Sequence, residues 1–184
     1  MIHHNHIFNH FPLDKRLYNS DIAAIMPETI ERYGESEWRY TTLACELHGH
    51  IGLYTMLGVK MGLWARELLG AEQGSLHIIS YAGSTPPISC LNDGLQVATE
   101  ATLGHGLIEV THPHIPCAEA EFFSSEGRLR LRLKPDREEL MIKELQSAVA
   151  RYGSTKGYWD KVRELAINYW MEWNRKDIFE VVRE

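Results

Sequence analysis

The chain has 184 residues, of which 44% are hydrophobic and 24% charged, a composition typical of a folded protein long enough to bury a core. Its 25 acidic and 19 basic residues give a formal net charge of -6, which argues against general affinity for nucleic acid or anionic lipid. The three cysteines, Cys45, Cys90 and Cys117, form no C-x-x-C pair, which argues against a disulfide framework or a zinc ribbon.

Two features of the chain bear on its location. The N-terminal residues show no basic segment followed by an apolar run, so we expect no secretory signal and a cytoplasmic protein. The longest apolar segment, residues 51–65, contains Lys60 and is shorter than the ~20 residues that a membrane-spanning helix requires. We therefore expect no membrane contact, and a small molecule or another protein as the partner.

The first predicted element is a short helix within an N-terminal helical lead-in, residues 1–40. Apolar side chains recur at helical intervals over residues 22–33. Pro27 is expected to interrupt or restart this helix because proline lacks the backbone N–H that a helix interior uses. Gly34 then predicts a turn.

The second predicted helix begins near residues 49–50 and continues to Leu69, with Gly70 as its C-terminal stop. Gly58 and Gly62 lie one turn apart on it. Because glycine has no side chain, this spacing predicts close contact with another backbone segment in the core.

A strand, a loop and a helix follow in the central part of the chain. Residues 76–81 are predicted to form a buried strand, residues 82–89 a Pro- and Gly-rich loop, and residues 90–101 a helix. Three further strands are predicted over residues 107–111, 118–124 and 128–133. The last two alternate in polarity, so each should place one face on the core and one in water. The element order predicts an α+β domain with a mixed sheet.

The C-terminal part of the chain is predicted to be helical. A first helix follows Pro135, residues 153–157 form a hinge, and a last helix carries an aromatic stripe. Such a stripe is typical of core or dimer packing, because each aromatic side chain buries a large area. We expect one domain, with a core over residues 41–135 and a helical extension over residues 136–184.

The pair His48 and His50 resembles half of a metal site. Imidazole is the commonest ligand for zinc-like metals. Cys90 is a further candidate, because unpaired amides at the start of its helix should lower the pKa of its thiol. Without a metal, the histidines would be satisfied by hydrogen bonds, and Cys90 would be a small buried hydrophobe.

Two motifs carry a resemblance to a known family. They run from Leu47-His48-Gly49-His50-x-Gly52 to Met61-Gly62, and from Cys90-x-x-Asp93-Gly94 through Thr102-Leu103-Gly104-x-Gly106-Leu107. Over residues 40–125 the chain resembles the FmdE family, which takes its name from a component of formylmethanofuran dehydrogenase. The order and the spacing of the two motifs both match.

The resemblance implies the same α+β core, a homodimer and a divalent transition metal, with zinc as the expected ion. His48, His50 and Cys90 match the metal-binding positions, beside a small-molecule pocket. Polar positions near the same cleft are matched by Asp93, Gln96, Thr99 and Thr102. Of these, Asp93 and Thr102 are our candidates for a supporting or catalytic role.

Two departures from the family pattern concern the ligands. Gly52 and the pair Glu100-Ala101 stand where the family often has cysteines, so two soft ligands are missing. The tail also lacks the paired cysteines of a C-terminal zinc finger, and we expect no second metal site there. Asp93 or Glu100 could orient a ligand histidine or act as a base, since carboxylates commonly hold metal-bound imidazoles. Their structural alternatives are a charge at a helix N-terminus and a solvated helix residue.

Other histidines could bind metal less specifically. His112 and His114 lie near Cys117, but prolines make this segment a rigid, exposed connection between strands. A second group is compatible with adventitious metal binding at a chain end, namely His3, His4, His6 and His10. This group could also fold over the cleft.

Three functional hypotheses remain open from the sequence. The first is a metal-binding FmdE-like protein whose reaction, if any, is unknown. The chain shows no nucleotide-binding loop and no iron–sulfur cysteine set, so redox chemistry by this chain alone is not expected. The second is a noncatalytic carrier that delivers a metal or a tetrapyrrole to a partner enzyme. The third is a purely structural role for the histidines and the cysteine.

Overall fold

The computed structural model describes residues 7–182. The helices are α1 (Ser20–Tyr33), α2 (Glu35–His48), α3 (Leu53–Leu69), α4 (Leu91–Thr99), α5 (Pro135–Tyr152), α6 (Lys156–Glu172) and α7 (Arg175–Ile178). The strands are β1 (His77–Ser80), β2 (Ile108–Val110), β3 (Glu119–Ser124), β4 (Gly127–Leu133) and β5 (Phe179–Val181). Two short 3-10 turns precede α1 and α4. This architecture confirms the α+β class.

The strands form one mixed sheet in the order β2-β1-β3-β4-β5. Strands β1 and β2 are parallel, and α4 connects them as the crossover that a parallel pair requires. The other neighbouring strands pair antiparallel, and Ile78 of β1 lies opposite both Ile108 and Phe122. These three side chains belong to the hydrophobic core that the helices share with one face of the sheet.

Helix α3 lies at the centre of the helical layer and is buried on nearly every side. A Cβ atom added at Gly58 would collide with the carbonyl oxygen of Leu91, and one added at Gly94 would collide with that of Thr55. Gly62 is similarly close, because its added Cβ would lie 2.9 Å from the Thr99 side chain. The predicted close contact of the glycines is confirmed, and its partner is α4.

The C-terminal segment adds an element that sequence patterns did not predict. Strand β5 pairs with β4 at the sheet edge, with Phe179 opposite Leu133. Helix α6 contacts α1, α3 and α5, and Trp170 stacks on Trp38 of α2 with ring centroids 4.9 Å apart. Among residues 7–182, no helix is both long enough and apolar enough to cross a membrane.

Two predictions about the N-terminal half were wrong. Helix α1 continues through Pro27 without a break, since burial of Ile25 and Met26 outweighs one missing backbone hydrogen bond. Helix α3 begins at Leu53 rather than near residues 49–50, and α2 ends at His48. The histidine pair therefore lies in the connection between two helices.

The prediction for the polar face of β3 was also wrong. Glu119 and Glu121 were expected to face water, yet each is only 5% exposed. Their carboxylates are covered by ion pairs with Arg128 and Arg130 on the neighbouring strand β4. Cross-strand pairing has therefore buried a face that alternation alone assigns to solvent.

Candidate metal-binding site

The candidate site is built around the end of helix α2. Gly49 adopts a left-handed conformation with φ of 86°, which ends the helix directly after His48. The N–H of Gly49 donates to the carbonyl oxygen of Cys45 at 2.9 Å. This sharp turn places the ring of His50 beside that of His48, with centroids 4.5 Å apart and the planes tilted by 42°.

Asp93 fixes the orientation of the His48 ring. Its Oδ2 lies 2.8 Å from Nδ1 of His48, and the histidine side chain is only 13% exposed. Asp93 is in the first turn of α4, directly before Gly94. The close contact between α3 and α4 at Gly94 thus positions the carboxylate against the histidine.

The second ring nitrogen of His48 is unpaired in the described structure. Its Nε2 is buried, and no donor or acceptor among residues 7–182 lies within hydrogen-bonding distance. A Cβ atom built on Gly52 would lie 3.3 Å from this nitrogen. The position where the family often has a cysteine is therefore adjacent to the unpaired nitrogen.

His50 occupies a more open environment than His48. It is exposed, and the edge of its ring contacts the ring of Trp159 at a centroid distance of 5.6 Å. Partial burial and the neighbouring His48 lower the pKa of His50, which favours its neutral, metal-binding form. Trp159 was predicted as part of a packing stripe, but it is 55% exposed in this chain. Its helical spacing gave no sign of this contact.

Cys90 is half-buried at the residue before α4. The predicted lowering of its pKa was wrong: burial and the charge of Asp93 raise the pKa of this thiol, and they outweigh the helix amides. No three histidine, cysteine, aspartate or glutamate side chains within residues 7–182 are close enough to surround an ion. The structure thus brings His48 beside His50 and Asp93, while the ligand set with Cys90 is not closed.

The other polar positions suggested by the family resemblance make local hydrogen bonds after α4. Thr99 donates to the carbonyl of Leu95, and Gln96 accepts from the N–H of Leu103. Thr102 accepts from the N–H of His105. Another candidate, Glu100, is not a helix residue but caps the end of α4 in a left-handed conformation with φ of 59°. These groups shape the turn after α4.

The remaining histidines do not join this site in the described structure. His112 and His114 are exposed in the connection between β2 and β3, as expected. Nearby, Cys117 lies 3.7 Å from a Glu119 carboxylate oxygen, and burial with this charge raises its pKa to about 11. His10 is exposed. The expectation for His3, His4 and His6 falls outside the described residues.

Comparisons with known proteins give one family and two relatives. The family model FmdE, described as molybdenum formylmethanofuran dehydrogenase operon, matches residues 47–180. A probable S-adenosyl-L-methionine-binding protein of Archaeoglobus fulgidus is 33% identical over 100 residues, which cover 50% of this chain and 27% of that protein.

The matched region thus spans only 27% of that curated relative. A crystal structure of an FmdE-like protein of tungsten formylmethanofuran dehydrogenase, from Syntrophus aciditrophicus, aligns with 17% identity and a TM-score of 0.43. The alignment covers 90% of this chain and 72% of that one.

Proposed function

This chain belongs to the FmdE family, and on that premise we propose that it binds a divalent, zinc-like metal ion through His48, His50 and Cys90. The ion would lie beside a small-molecule cleft whose wall includes His50. One observation carries the proposal: the buried Nε2 atom of His48 has no hydrogen-bond partner among the described residues. Nitrogen atoms in this condition are costly unless a ligand satisfies them.

The hydrogen bond to Asp93 supports a ligand role for that nitrogen. An ionised carboxylate can only accept, so the Nδ1 atom of His48 carries the proton and Nε2 keeps its lone pair. Metal-binding histidines almost always donate their other N–H in this way, which fixes the ring and raises its basicity. The residues present therefore fit an ion at Nε2.

His50 and Cys90 are the proposed additional ligands. His50 is exposed, and exposed side chains change rotamer readily, so its ring can turn toward an ion held by His48. The Cys90 thiol is protonated near neutral pH because its pKa is raised, and binding would release that proton. When bound with an open coordination position, such an ion would lower the pKa of its water to about 7.

A carrier function is the second candidate. The exposed ring of Trp159 against His50 provides an aromatic surface beside the site, where a partner protein could dock. A carrier should give up its ion quickly to a competing chelator, whereas a metal enzyme should retain it. The homodimer expected from the family stays a prediction, which light scattering of the purified protein would test.

The test of metal binding is cobalt(II) titration of the metal-free protein. All titrated proteins carry alanine at four N-terminal histidines, His3, His4, His6 and His10, to remove adventitious binding. We expect one cobalt per chain with thiolate-to-cobalt absorption in the otherwise unchanged protein. That absorption should disappear in Cys90→Ser, and binding should weaken strongly in His48→Ala.

Two matched substitutions serve as controls. His114→Ala removes an exposed loop histidine, and Cys117→Ser removes another half-buried thiol. Both should bind cobalt as the unchanged protein does. Equal cobalt binding by the His48→Ala protein and its parent would overturn the proposal, since the unpaired nitrogen would then have no part in binding.

A further inference from the structure

A cleft of about 710 Å³ opens next to the histidine pair. It lies between the segment preceding α1, helices α1 and α2, and helix α6, and its volume is typical of a small-molecule site. Much of its wall is apolar or aromatic, including Phe11, Tyr18, Ile22, Ile51 and Trp170. The cleft can therefore bury a molecule with an apolar, ring-containing body.

Two residues of this wall have buried polar atoms that lack partners among residues 7–182. Trp170 is 2% exposed, and its Nε1–H has no acceptor there; Thr41 is fully buried, and its Oγ1 has no partner there. Buried donors without acceptors cost free energy and are few in native proteins. Because an indole N–H can only donate, an occupant that satisfies Trp170 must present an acceptor.

The charges around the cleft disfavour an anionic occupant. Arg163 is engaged by the carboxylate of Asp21, with N–O distances of 2.7 and 2.9 Å. Arg16 is likewise paired with Asp14 at 2.6 Å. Glu46 adds a further carboxylate to the wall, which would repel a carboxylate or a phosphate. A neutral acceptor such as a carbonyl oxygen fits these surroundings better.

We propose that this cleft binds a neutral, apolar ring compound bearing a carbonyl group, which accepts hydrogen bonds from Trp170 Nε1 and Thr41 Oγ1. His50 belongs to both the cleft wall and the histidine pair, so an occupant would lie next to the proposed ion. The binding itself rests on the cleft and does not depend on metal. It is therefore tested on metal-free protein, where a failure of the metal proposal has no effect.

The test uses prodan, a neutral dimethylaminonaphthalene ketone whose emission responds to hydrogen bonding at its carbonyl. Dimethylaminonaphthalene, which lacks the ketone, serves as the matched probe. We expect saturable binding of one prodan per chain. Thr41→Val and Trp170→Phe should each weaken prodan binding about threefold to tenfold, the usual effect of one hydrogen bond. Neither should weaken binding of the ketone-free probe as much.

Thr29→Val is the matched control for these variants. Thr29 is also fully buried, with an Oγ1 unpartnered among the described residues, but it lies on α1 outside the cleft wall. Its substitution should leave prodan binding unchanged. If Trp170→Phe fails to fold, Thr41→Val decides the outcome, since valine and threonine have the same shape. The proposal is overturned by no saturable prodan binding, by equal weakening of both probes, or by a Thr29→Val effect as large as that of Thr41→Val.

Discussion

The two ends of helix α2 carry polar clusters of opposite character. Near its start, the buried Glu37 carboxylate binds Lys60 at 2.5 Å and Arg175 at 2.8 Å. At its end, His48 binds Asp93 through Nδ1 but leaves Nε2 without a partner in the described part of the chain. The first cluster is closed, and the second is open at one atom.

The closed cluster is well supplied with partners. Besides Glu37, the Lys60 ammonium donates to the carbonyl of Trp170 at 3.2 Å and lies 4.2 Å from the ring centroid of Tyr33. A buried cation with such partners is part of the architecture. The open cluster lies beside a cleft and retains binding capacity. The comparison teaches that burial of polar groups marks a functional site only where one of them is left unsatisfied.

The largest expected effect comes from opening the closed cluster. Glu37→Leu leaves Lys60 buried without its carboxylate and should lower the free energy of unfolding by about 3–5 kcal/mol. Urea denaturation measures this loss. The double variant Glu37→Leu with Lys60→Met removes both charges and should recover much of the stability. A cost below about 1 kcal/mol for Glu37→Leu alone would contradict the structural role given to this cluster.

Asp93→Asn tests the open cluster. Loss of the carboxylate that orients His48 should weaken metal affinity about 10- to 100-fold. Calorimetric zinc titration measures the affinity, and the free energy of unfolding should change by about 1 kcal/mol or less. Asp136→Asn is a suitable control because Asp136 also lies in the first turn of a helix, α5, away from the pair. Unchanged affinity in Asp93→Asn would show that the carboxylate does not support a ligand.

Gly52→Cys should close the open cluster further. Its backbone φ of -111° suits any residue, and its Cβ would lie 3.3 Å from His48 Nε2. A thiolate there should tighten zinc binding by about tenfold, because zinc favours thiolate ligands. Gly52→Ala adds the same Cβ without sulfur, including its tight 3.0 Å contact with Thr55 Oγ1. Identical zinc affinities for the two variants would place the ion elsewhere.

The smallest effect is expected at an exposed ion pair. Arg163 lowers the pKa of Asp21 below its ordinary 3.8. Since the folded-state pKa is depressed, the stabilisation is present above the unfolded-state value and is lost as the pH falls through the folded-state value. Asp21→Asn should therefore cost up to about 1 kcal/mol near neutral pH and almost nothing in strong acid. Urea denaturation across this range checks the trend, and a cost independent of pH would contradict it.

Much of the fold could be predicted from local patterns, because alternating strands and glycine spacing leave a direct trace in sequence. Helix α2 could not, since it mixes buried Glu37 and Trp38 with adjacent threonines and shows no clear apolar stripe. The burial of Glu119 and Glu121 likewise depends on arginines from another strand. Alternation reports the face of a residue but not what covers that face.

The candidate site was predictable in its residue types but not in its contacts. His48 and Asp93 are 45 residues apart, and only the packing of α4 on α3 brings them together. The helix-cap argument for Cys90 failed because the extent of its burial is a tertiary property. The unpaired state of Nε2 is visible only when the neighbours of His48 in space are known.

Nuclear magnetic resonance of isotope-labelled histidine side chains, recorded before and after zinc is added, tests the central claim most directly. The His48 signals are assigned by comparison with His48→Gln. We predict that the metal-free protein has His48 protonated at Nδ1, and that zinc shifts its Nε2 resonance while the Nδ1 proton stays in place. A His48 ring that is unaffected by zinc, or one that binds through Nδ1, would contradict the account.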